Sequence, residues 1–179
     1  MLCHLVMVGV MSMTPVHMGH GGATLQLVGL VISVHVAGMY ALSPVFGWLT
    51  DRLGPRVVLG LGASLLVVAG VVSGLAAGDQ TARLGIGLAL LGLGWSAGLV
   101  AGSTLVSTAV PVPDRPGVQG LADVSMNVAG AVGGIAAGVT VATSSFAVLG
   151  IGTAVLTLPY LVALLLGARR RAEWNSRAV

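Results

Sequence analysis

The residues able to do chemistry in this chain are the few polar ones set inside its apolar stretches. Gln119, Asp123 and Asn127 fall at i, i+4 and i+8, so on a helix they share one face. A carboxyl on that face can bind and release a proton, or it can be a helix-start carboxylate stabilised by the helix dipole. His35 lies near the middle of another apolar run. It can titrate or hydrogen-bond a solute, or it can sit neutral and bonded to a neighbouring helix. Tyr40, Trp95 and Ser103 are candidates to line a cavity, and packing or interface anchoring accounts for each as well. The candidate solute or proton residues are therefore His35, Trp95, Gln119, Asp123 and Asn127.

Other chemistries find no support. His4, His17 and His20 are spaced histidines with no carboxylate nearby, two of them in a Gly-rich stretch, which is a poor metal set. There is no phosphate-binding Gly-x-x-x-x-Gly-Lys-Ser/Thr loop, no Ser–His–Asp set and no paired carboxylates. Neither a metal, a cofactor nor an enzyme activity is expected.

The elements that must hold these residues are apolar. Of 179 residues, 56% are hydrophobic and 7% charged. A soluble domain carries about 25% charged residues, so the expected solvent is the lipid bilayer. Residues 1 to about 16 form a first apolar run. At 1.5 Å per residue it reaches about 24 Å against roughly 30 Å of hydrocarbon. It reads as a helix whose beginning is missing, ended by Pro15 and a loop at 17–22. Further runs follow at about 24–46, 56–78, 82–110, 118–141 and 146–168, with a Pro-rich breaker at 111–116. The predicted class is all-α: a polytopic membrane bundle of about six helices, one domain over 1–179, with a basic tail at 169–179.

The eight basic residues are all arginine. Arg52, Arg56, Arg115, Arg169, Arg170, Arg171 and Arg177 fall in the turns after the second, fourth and sixth runs, and only Arg83 falls on the other side. Seven against one predicts that those turns and both termini are cytoplasmic. The tail reads as a headgroup anchor, not as a nucleic-acid surface, and Trp48 reads as an aromatic-belt residue. Cys3 is the single cysteine, so no internal disulfide forms. Glycines at double spacing of four line three helix faces: Gly70, Gly74 and Gly78; Gly94, Gly98 and Gly102; Gly130, Gly134 and Gly138. Such faces let neighbouring helices approach closely.

The polar stretch between the second and third runs carries a family likeness. Gly47-x-x-x-Asp51-Arg52-x-Gly54-x-Arg56 resembles the signature loop of the major facilitator superfamily, which joins the second and third helices of each six-helix half. Gly47 would let a helix end lie close to a neighbour, Gly54 would permit the turn, and Asp51 would accept from a nearby helix N-terminus. Pro55 departs from the family pattern, which has a basic residue there. The run Gly92–Gly102 and the pattern Arg115-x-x-x-Gln119-Gly120-Leu121-Ala122-Asp123 look like helices ten and eleven of bacterial members. There is no Gly-Pro pair in the fifth segment.

The resemblance implies the C-terminal half, helices seven to twelve, with helix seven truncated. It further implies a secondary transporter in the plasma membrane that moves a small solute by alternating access, with protons as a candidate coupling ion and efflux or antiport as the mode. Its partners would be the bilayer, the solute, and either the missing N-terminal half or a second copy, with no nucleic acid. The rival expectation is a truncated or split membrane protein that does not transport and associates with a partner transporter.

Overall fold

The structure, a computed structural model, describes the backbone of residues 1–177 and the side chains of residues 1–167. The side chains of the basic tail lie outside the described residues. The described chain is helical throughout: α1 (Leu2–His20), α2 (Leu25–Tyr40), α3 (Ser43–Leu53), α4 (Pro55–Gly74), α5 (Thr81–Thr108), a 3-10 turn (Val112–Asp114), α6 (Arg115–Thr143) and α7 (Phe146–Arg177). Six spans are long and apolar enough to cross a membrane. α2 and α3 together make one of them, Leu25–Leu53. The predicted all-α membrane bundle is what the chain forms.

The first span is longer than the sequence predicts. α1 runs through Pro15 to His20, 19 residues in all, or about 28 Å of rise. Proline costs it one backbone bond, and the surrounding turn holds: Thr14 Oγ1 donates to the Val10 carbonyl at 2.8 Å. His17 and His20 are therefore helical, not part of a loop.

The second span is broken where the sequence reads as continuous. Helix stops at Tyr40 and restarts at Ser43, with Pro44 in the first turn of α3. Pro44 has no N–H to offer the Tyr40 carbonyl. Ser43 Oγ donates back to the Met39 carbonyl at 3.1 Å and pairs with Ser96 Oγ of α5 at 3.1 Å.

α4 and α5 form the centre of the bundle. α4 packs on α5 and α7, α2 packs on α5, and α1 packs on α6. Leu66, Leu84, Leu88 and Leu91 are fully buried there. Lipid tails are as apolar as these side chains, so close backbone approach carries much of the packing. A Cβ at Gly62 would lie 2.9 Å from the Gly94 carbonyl oxygen, and one at Gly94 would lie 2.9 Å from that of Gly62. Gly70 and Gly150 meet in the same reciprocal way across α4 and α7, each 2.7 Å from the other's carbonyl oxygen.

The glycines of the predicted faces differ in how closely they pack. Gly94, Gly98 and Gly130 do pack, against Gly62, Cys3 and His4 respectively. Gly134 has only ordinary contact with Val8, and among the described residues nothing lies within 4 Å of a Cβ at Gly102 or Gly138. The buried face of α6 is instead Gly130, Gly133 and Ala137, where Gly133 lies against the Leu5 backbone of α1. Helices that cross separate along their length, so a regular glycine spacing outruns the contact it serves.

At the end of the bundle where α4 finishes and α5 begins, His17 ties three parts together. Its Nε2 is 3.0 Å from the Ala76 carbonyl, and its ring stacks on Phe146 of α7 at 4.3 Å. Gly21 and Gly78 touch backbone to backbone beside it.

Candidate functional site

The signature stretch is helix, not loop. Gly47, Asp51 and Arg52 lie within α3, Arg56 lies in the first turn of α4, and the whole turn is Gly54. Gly54 has φ +86° and ψ 151°. That φ suits glycine, that ψ suits the residue before a proline, and Pro55 then starts α4 with its φ already set. Pro55, the departure from the family pattern, is thus compatible with an abrupt turn. Among the described residues nothing lies within 4 Å of a Cβ at Gly47, so none of them makes the close approach expected there. Arg52 lies over the Trp48 ring, 4.7 Å from its centroid, one helical turn away. Asp51 is exposed and has no hydrogen-bond or ion-pair partner among the described residues.

A cavity of about 450 Å³ lies between α1, α5 and α6, toward the end at which α4 and α6 begin. It brings together three of the candidate residues: Trp95, Gln119 and Asp123. α5 supplies Trp95, Gly98, Gly102 and Ser103, and α6 supplies Gln119, Asp123 and Met126. Gly102 lines it without filling it, which gives that unpacked glycine a role the spacing argument missed. The Gln119 amide donates to Asp123 Oδ1 at 3.3 Å and reaches Ser103 Oγ at 3.5 Å. Asn127 does not line the cavity; its amide donates to the Asp123 main-chain carbonyl at 2.8 Å.

His4 belongs to this wall, and the sequence reading considered it only as a metal ligand. Trp95 Nε1 donates to His4 Nδ1 at 2.8 Å. The indole can only donate, so the bond requires a neutral imidazole with its proton on Nε2. The ring fits because residue 130 is glycine: a Cβ there would lie 2.7 Å from His4 Cδ2. Tyr40 stands edge-on to Trp95 with ring centroids 6.0 Å apart. Cys3 and Tyr160 of α7 also line the cavity and were missed. They sit on other helices, so no spacing within one run points to them.

His35 is elsewhere. It is fully buried between α2 and α5, with Nδ1 2.8 Å from the Leu88 carbonyl. Its Nε2 has no hydrogen-bond partner among the described residues. Near it, residue 92 must be glycine-sized, because a Cβ there would strike the His35 carbonyl. His4 and His17 stand 13 positions apart on one helix, about 20 Å along its axis. No group of three potential metal ligands occurs among the described residues.

The arrangement can hold a mid-sized organic molecule against an apolar wall with one carboxylate and one amide to orient it. Comparison with known proteins agrees with a membrane-transport context. The sequence model described as Major Facilitator Superfamily matches residues 1–179. The chain is 42% identical over 157 residues to two proteins of Bacillus subtilis strain 168, the uncharacterized MFS-type transporters YddS and YdeG. Each match covers 88% of this chain and 36% of the relative, so the chain spans about a third of their length. With six apolar spans, the Gly47–Arg56 pattern at the second turn and a match along its whole length, this chain belongs to the major facilitator superfamily.

Proposed function

We propose that these six helices are one half of a secondary active transporter, the C-terminal one, which moves a small solute across the plasma membrane by alternating access. The observation that carries this reading is the polar face of α6. Asp123 and Asn127 are exposed on a span otherwise apolar enough to cross the bilayer. A carboxylate facing hydrocarbon costs about 2.5 kcal/mol or more at the bilayer centre, and Asp123 lies about two turns inside α6. The face therefore suits a watered path or a second set of helices, which is where a solute passes between two transporter halves. The exposed Asp51 agrees with the same reading, since its counterpart would come from the other half. Proton coupling through Asp123 fits this position, and the Arg-bearing turns fit the cytoplasmic side.

The test is solute-driven proton movement in everted membrane vesicles, followed with a pH-sensitive dye. The transporter with these six helices and their partner half should give a signal that Asp123→Asn abolishes at unchanged expression. Proton-driven transport undiminished by that substitution would remove Asp123 from coupling. The 179-residue chain reconstituted alone should give no flux; flux from it as a monomer would overturn the half-transporter reading.

A further inference from the structure

α6 and α7 are joined by a turn at Ser144 and Ser145, yet each packs mainly on another helix. Gly133 of α6 lies against the Leu5 backbone of α1, and Gly150 of α7 lies against Gly70 and Gly74 of α4. Between α6 and α7 this leaves a groove of about 270 Å³, with Leu5 and Gly9 of α1 as its third side. Its lining positions run from 133 to 140 on α6 and from 148 to 156 on α7, about 11–12 Å of helix rise. The groove is thus long, thin and aligned with the spans.

Its walls are hydrocarbon. Among the described residues no charged side chain and no histidine lines it. Its two hydroxyls are spent inside their own helices: Thr140 Oγ1 donates to the Ala136 carbonyl and Thr153 Oγ1 to the Gly150 carbonyl, each at 2.8 Å. A water there would meet no free donor, whereas ordered waters keep about three hydrogen bonds. The groove also faces away from the polar side of α6. Ala136, on its rim, is exposed and stands nine positions beyond Asn127, about two and a half turns and so the opposite face of the helix. Asn127 looks toward water or a partner half, and the rim at Ala136 looks toward lipid. A neighbouring helix is too wide to enter. It is about 10 Å across, so a length of about 12 Å fills on the order of 900 Å³, several times the groove.

We propose that this groove seats one linear acyl chain of a membrane phospholipid, which acts as a wedge between α6 and α7. Left unfilled, the groove would forfeit the dispersion contacts of its walls, and a thin unbranched chain is the bilayer component that fits among three helices. Lipid tails are as apolar as the walls, so the preference comes from fit, not from escape from water and not from the headgroup. The proposal stands apart from the transport reading and holds whether or not the protein moves a solute.

Lipid retention tests it. The chain is purified from the membrane in a steroidal detergent, whose fused rings do not mimic a linear tail. The phospholipid that survives exhaustive washing is counted by extraction and mass spectrometry. A single phospholipid per chain should remain, and exchange into a detergent with a linear dodecyl tail should displace it. Gly152→Phe should abolish retention: among the described residues a Cβ at Gly152 meets nothing within 4 Å, so the ring enters the groove without forcing helices apart. Ala136→Leu narrows the groove from α6 and should do the same. Gly29→Phe, at an equally open and exposed position of α2, should keep the lipid. On the unaltered chain stripped of lipid, straight-chain dipalmitoyl phosphatidylcholine should rebind in preference to branched diphytanoyl phosphatidylcholine, which has the same headgroup. That comparison needs no variant and so stands even where one fails to fold. The proposal is overturned by no retained lipid, by retention that survives the dodecyl detergent or both groove substitutions, by loss in folded Gly29→Phe, or by equal binding of the straight and branched lipids. Retention by the 179-residue chain that vanishes in the assembled transporter also overturns it, since a partner helix would then cover the groove.

Discussion

Trp95 of α5 donates its indole N–H to His4 of α1 at 2.8 Å, across 91 residues of sequence. The bond joins the two helices at the cavity wall. Trp95→Phe keeps a ring but leaves His4 Nδ1 without a donor. A buried bond of this kind contributes about 1 kcal/mol, so a measurable fall in the detergent melting temperature is expected. In a double-mutant cycle with His4→Leu, a coupling of about 0.5 kcal/mol or more is expected for residues in contact. Strict additivity of the two changes would show that the bond does not form.

Two glycines on α5 should respond in opposite directions to the same change. A Cβ at Gly94 meets the Gly62 carbonyl oxygen and the Leu66 side chain, both at 2.9 Å, whereas one at Gly102 meets nothing. Gly94→Ala forces two backbones apart and is expected to destabilise by about 1–3 kcal/mol. Gly102→Ala gains helix propensity and is expected to be neutral or to stabilise by up to about 1 kcal/mol. Thermal unfolding of the two variants side by side is the measurement. Similar losses at both would contradict the packing described.

The signature stretch gives a second matched pair. Gly54→Ala places a side chain at φ +86°, a strain of about 1–3 kcal/mol, while Gly47→Ala sits in open helix. Gly54→Ala should lower stability and Gly47→Ala should not. If Gly47→Ala alone impairs transport by the assembled protein at normal stability, its role lies in contact with a partner half.

Sidedness can be read by cysteine labelling in a Cys3→Ser background. Val112 and Gln80 are exposed at opposite ends of the bundle. With the Arg-bearing turns cytoplasmic, an impermeant maleimide should label Gln80→Cys on intact cells and Val112→Cys only after lysis. The reverse pattern would invert the topology.

The number and order of spans were legible because apolar runs here are separated by charged, Gly- or Pro-rich turns, and length alone then sets what crosses. Boundaries were less so. Pro15 reads as a stop, yet α1 tolerates it because losing one bond is cheaper than unwinding a packed turn. The break at Tyr40–Ser43 was invisible because Pro44 stands in a run whose hydropathy never falls. Asp51 and Arg52 read as loop because they are charged, yet polar residues at the membrane surface are free to stay helical. In the candidate site, Gln119 and Asp123 were legible from spacing on one helix. His4, Cys3 and Tyr160 were not, since their meeting depends on how α1, α5, α6 and α7 cross.

The interruption of the second span also constrains how the molecule can sit in a bilayer. Tyr40 is near mid-depth in the Leu25–Leu53 span, and its carbonyl lacks the proton donor that an amide at position 44 would bring. Acyl chains offer no hydrogen to an abandoned oxygen, and leaving one in hydrocarbon costs several kcal/mol. The Tyr40 side chain is 60% exposed on that surface. Tilts and rotations that turn this notch toward the tails are therefore disfavoured, and the notch acts as a compass needle for the helix, fixed independently of any charge.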